Sequence, residues 1–117
     1  MSSELSRPRP DEHAPYFIRY IDVVPDGDIV ETLTHQLGET LELLQDVSPE
    51  REKHRYAPDK WSIREVVGHL IDVERVFAFR AIAIARSDGV DLPSMEQEEW
   101  AKRSNAGERP LDDLAFE

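Results

Sequence analysis

His69 is the residue of this sequence best suited to hold a metal ion or to take up a proton. It sits two turns into a stretch of helical periodicity, with Glu65 four residues before it and Asp72 three residues after. At about 100° per residue these positions lie along one side of a helix, with His69 at the border between an apolar arc and a polar face. A border imidazole can offer one ring nitrogen to a groove while a carboxylate orients the other, as ligation or general-base work requires. The same spacing also describes a half-buried structural histidine, or an exposed one paired with Glu65. Gly68, beside it, costs about 1 kcal/mol relative to Ala in a helix interior. Either a ligand or another helix approaches closely there, or the glycine is a tolerated defect. Glu74 falls inside the apolar arc and calls for a partner: a metal, an arginine from the lead-in, or solvent at the edge. Arg80, near the border, would bind an anionic substrate or pair with an acidic neighbour.

The remaining histidines, His13, His35 and His54, stand at no helical spacing from another histidine. No H-E-x-x-H pair, Gly-rich phosphate loop or G-x-S-x-G elbow is present. Ser62 is accounted for as a helix cap. Local spacing therefore makes His69 eligible for chemistry without assigning it any.

The elements that must position these residues are helical. Apolar Ile29, Leu33, Leu37, Leu41 and Leu44 recur at intervals of four, four, four and three, predicting a helix from about Asp28 to Asp46. Asp26 or Asp28 caps it and Pro49 ends it. Residues 48 to 60 form a polar connection. Ser62 and Glu65 then make an S-x-x-E capping box, with Trp61 before it and Val66 inside it as a hydrophobic staple. The apolar pattern continues to about Arg86, roughly 37 Å of helix at about 1.5 Å per residue, and Gly89 is placed to cap its C-terminus. Its apolar arc is broad enough for two neighbours, as in a four-helix bundle. Ser94, followed by Gln97, opens a short helix that carries Trp100 and runs to about Arg103, and the chain restarts at Pro110, a favoured first helical position, with a new apolar pattern. Tyr16 to Val24 has strand-like composition but no partner strand, and reads as an extended lead-in whose aromatics pack onto later helices. Residues 1–15 read as a mobile arm and 16–117 as the folded domain.

Composition narrows the function. The 117 residues suit one domain, 39% hydrophobic and 33% charged. A net charge of −11 disfavours a nucleic-acid partner, which needs clustered Lys and Arg. With no cysteine, any metal must be held by His, Asp or Glu. No run resembles a signal peptide or membrane span, so a soluble cytoplasmic protein with no membrane partner is the default expectation.

The stretch Arg55 to Arg75, with its core Lys60-Trp61-Ser62, Glu65, His69 and Leu70, resembles the DinB-like superfamily of damage-inducible and thiol-transferase-related proteins. Arg19-Tyr20-Ile21 through Pro25 and Gly27 also resembles it, as does Leu92-Pro93 through Gln97 and Trp100 to Arg109-Pro110-Leu111. The resemblance implies an all-α, up-down four-helix bundle, here its first two long helices, a short helix and the start of the third. It further implies a homodimer acting on a small molecule, and a three-histidine site for a divalent metal such as Zn or Ni. His69 matches the first ligand, and the family's other two stand in an H-x-x-x-H on the fourth helix. No such pair follows residue 69, so the domain is expected to be incomplete at its C-terminus, with the remaining ligands beyond residue 117. The chain alone should then bind metal weakly.

Two activities are implied, transfer or isomerisation with a low-molecular-weight thiol and metal-dependent hydrolysis. In both, an open metal position lowers the pKa of a bound thiol or water. Glu65 and Asp72 are candidates, on spacing alone, to orient His69. The alternative is a non-catalytic helical binding or dimerisation module in which His69 is structural.

Overall fold

A computed structural model describes residues 5–117, and all regular structure within them is helical, with no strand. The chain divides into two compact units, Met1–Glu42 and Leu43–Glu117.

In the first unit the aromatic run is helical rather than extended. A 3₁₀ turn, Pro15–Phe17, leads into a four-residue helix α1, Ile18–Ile21. With no strand to pair against, the backbone satisfies its donors locally, Phe17 N–H on Ala14 O at 3.1 Å and Asp22 N–H on Ile18 O at 2.9 Å. The aromatics pack on one another instead of forming a lead-in: Tyr16 meets Phe17 edge-on at 5.3 Å and shares a 3.0 Å hydroxyl contact with Tyr20. Arg19 lies 4.3 Å over the Tyr16 ring. Arg7 donates to Ile21 O and Val24 O, at 2.7 and 2.9 Å, and to the carboxylate of Asp26.

Asp26 being so engaged, Asp28 caps the next helix. Its carboxylate accepts from Val30 N–H at 2.8 Å and Glu31 N–H at 3.3 Å. That helix, α2, spans Ile29–Gln45 and contains no buried residue. Along its narrow stripe Leu33 and Leu37 are exposed, while Ile29 and Leu41 are half-buried.

The second unit is built on α3, Ile63–Arg86. The helix starts where the capping box places it. Ser62 Oγ accepts from Glu65 N–H at 3.2 Å, and Glu65 returns a bond to Ser62 N–H at 3.3 Å. Ser87, in extended conformation, ends it, and Gly89 takes a positive φ of 105° two residues later, just outside the helix. Helix α4, Gln97–Arg103, a 3₁₀ turn, Ala106–Glu108, and α5, Leu111–Phe116, follow. Pro110 stands one position earlier than expected, as the N-cap of α5. All three elements pack against α3.

The core where they meet is small: Val67, Ala106, Leu111 and Leu114 are buried, with Leu44, Val47, Ile63 and Ile71 half-covered around them. Each fully buried leucine contributes about 1.5–3 kcal/mol. Gly68 is what lets this core close. A Cβ added there would lie 2.5 Å from Ala106 Cβ, so the glycine is the point where the Ala106–Glu108 turn presses on α3. Asn105, in left-handed conformation with φ 59°, turns the chain into that contact. Further along α3, Phe77, Phe79, Ile82 and Ile84 remain exposed.

Candidate functional site

The N-terminal turns of α3 carry the residues singled out above. Glu65 is committed to the helix start. Besides the Ser62 N–H it holds the Ser62 hydroxyl at 3.0 Å and an ion pair with Arg55. That ion pair ties the connection to α3, and Arg55 also donates to Lys60 O within the connection at 2.7 Å. Burial would raise the Glu65 carboxyl, but bonds from Ser62 and the Arg55 guanidinium outweigh it and leave its pKa lowered. This carboxylate is therefore occupied, and it makes no bond to His69.

His69 lies one turn further on, half-buried. Neither ring nitrogen hydrogen-bonds to any described residue, and neither is sealed from the surface. What holds the ring is Trp61, whose indole lies 4.8 Å away, centroid to centroid, at 50°. Trp61 thus packs along α3 onto His69, while its expected staple partner Val66 is exposed. An imidazole positioned by an aromatic face, with both nitrogens unbonded, can still accept a metal or a proton.

Asp72 is half-buried and makes no side-chain bond among the described residues. Glu74 is exposed, so the carboxylate in the apolar arc is solvated rather than partnered. His35 and His54 are exposed, and His13 bonds to Ala14 O at 2.8 Å. Among the described residues no three His, Asp or Glu side chains gather into a group that could hold a metal ion. The residues present therefore supply one suitable donor, His69, and not a complete site.

A polar cluster that spacing did not reveal lies beneath this region. Glu52, only 8% exposed, receives two bonds from Arg64, at 2.9 and 2.7 Å, and one from Leu111 N–H at 3.2 Å. Arg64 also donates to Gly107 O at 3.0 Å. The pair joins the connection, α3, the 3₁₀ turn and α5. Hydrogen bonding from Arg64 holds the Glu52 carboxyl below the ordinary range, against its burial. Glu52 and Arg64 are twelve residues apart in polar surroundings, and no periodicity signals their meeting.

Residues 32–115 match the family model described as the DinB superfamily. The chain belongs to the DinB superfamily. A DinB relative from Oceanobacillus iheyensis, named a putative metal-dependent hydrolase, is 33% identical over 73 residues. The match covers 62% of this chain and 40% of that relative, so the DinB chain spans well under half of the relative's length. No solved structure matches. No helix among the described residues is long and apolar enough to cross a membrane.

Proposed function

We propose that this DinB protein is a metal-dependent hydrolase or thiol-dependent transferase of small molecules, in which His69 supplies one ligand to a divalent metal such as Zn or Ni. The observation that carries the reading is the state of His69, a half-buried imidazole packed against Trp61 with neither ring nitrogen hydrogen-bonded to a described residue. The name of the Oceanobacillus iheyensis relative supports it. The reading requires donors in addition to His69, since no three His, Asp or Glu side chains gather among the described residues. Asp72, unbonded and one turn from His69, is the better placed of the two carboxylates to orient the ring, since Glu65 is engaged by Ser62 and Arg55.

The test is metal analysis of the protein expressed from its full reading frame in metal-replete medium. Near-stoichiometric transition metal, lost in His69→Ala while the helical spectrum persists, is the expected result. No metal in the wild type, or equal metal in the variant, would overturn the proposal.

A second reading is favoured by the Trp61 contact and by the exposed apolar residues of α3. In it, His69 is structural and α3 pairs with a second copy of the chain to form a homodimer. His69→Ala then lowers the melting temperature without changing metal content, and light scattering returns twice the monomer mass.

A further inference from the structure

A cavity of about 310 Å³ opens within the second unit between α3 and the segment that leads into α4. Its wall is apolar, formed by Val76, Phe79, Leu92, Met95 and Trp100. Arg80 stands in this lining. One of its guanidinium nitrogens donates to Pro93 O at 2.9 Å, and its Cζ lies 5.7 Å from the centre of the Phe77 ring. These contacts hold the head group and leave its other N–H donors without a hydrogen-bond partner among the described residues.

The charge balance at this position is unusual for the chain. Acidic residues outnumber Lys and Arg by 25 to 14. The two other half-buried arginines are both neutralised, Arg64 by Glu52 and Arg109 by Asp113 and Glu117. Even Arg75, on the rim of the cavity, is paired with Glu117. Arg80 alone among the half-buried arginines meets no carboxylate among the described residues. A cation held against an apolar wall without a counter-ion favours an anion that brings its own apolar surface.

We infer that this cavity binds a small free monocarboxylate with an aryl or branched alkyl body, its carboxylate on Arg80 and its body against Phe79, Met95 and Trp100. The volume lies at the lower end of the about 300–1,000 Å³ usual for ligand pockets, which suits a single ring. The inference does not depend on His69, which lies more than two turns back along α3.

Phenylacetate and its neutral isostere phenylacetamide are the probes, titrated into ¹⁵N-labelled protein and followed by NMR. Phenylacetate is expected to shift the Trp100 indole N–H saturably, with a Kd on the order of 1 mM, as suits a ligand of this size. Phenylacetamide should bind at least about tenfold more weakly, and Arg80→Gln should weaken phenylacetate by a similar factor. Equal affinity for acid and amide would overturn the inference, as would unsaturable shifts or shifts centred on Trp61. The acid–amide comparison uses the wild-type protein, so it decides the matter even if Arg80→Gln does not fold.

Discussion

Replacing Gly68 by Ala sets two effects of known sign against each other. In a solvated helix the change stabilises by about 1 kcal/mol, because Gly loses more backbone freedom on folding. At Gly68 the new methyl would lie 2.5 Å from Ala106 Cβ, where carbon atoms pack at about 3.5–4.0 Å. Relief requires a shift of about 1 Å or more in a buried turn, and the atom in the way is attached directly to backbone. Overpacking of this kind costs about 1–3 kcal/mol. The expected net effect is a loss of about 1 kcal/mol, or about 4 °C in Tm for a chain of this length.

Gly38, in α2, is the internal control. An added Cβ there meets nothing within 4 Å, so Gly38→Ala should stabilise by about 1 kcal/mol. The two variants are thus predicted to differ by about 2 kcal/mol in chemical denaturation. Ala106→Gly combined with Gly68→Ala removes the clash, and the cycle should show favourable coupling of about 1 kcal/mol or more. Gly68→Ala stabilising the protein as much as Gly38→Ala would refute the close-approach argument.

Glu52→Ala leaves the Arg64 guanidinium and the Leu111 N–H without their acceptor, and a loss of about 3 kcal/mol is expected in urea denaturation. Because the folded-state pKa values of Glu52 and Glu65 are both depressed, their contribution is complete above the ordinary carboxylate range. It is lost as pH falls below about 4.5 through the folded values, so stability should decline there, and less steeply in Glu52→Gln. Ser62→Ala removes the acceptor for Glu65 N–H at the start of α3 and should cost about 1 kcal/mol, with helical content measured by circular dichroism as a parallel readout.

The two long helices were legible in the amino-acid order because their causes are local. A repeat near 3.6 residues, an Asp before Ile29 and a Ser62–Glu65 box act over one or two turns, and all three stand where spacing placed them. His69 became a candidate ligand on the contiguous Lys60-Trp61-Ser62, Glu65 and His69 pattern, and among the described residues no group that could hold a metal gathers around it. Composition misled at Tyr16–Val24, where β-favouring residues form helical turns because no second strand exists to satisfy their backbone.

Tertiary structure decided the rest. It turned Gly68 from a possible defect into the contact with Ala106, and it joined Glu52 to Arg64 and Leu111. It also assigned Glu65 to Arg55 and laid Trp61 on His69. Each of these depends on where a loop returns to α3, a matter of chain geometry and of satisfying buried polar groups. Neither is written in the periodicity of a single helix.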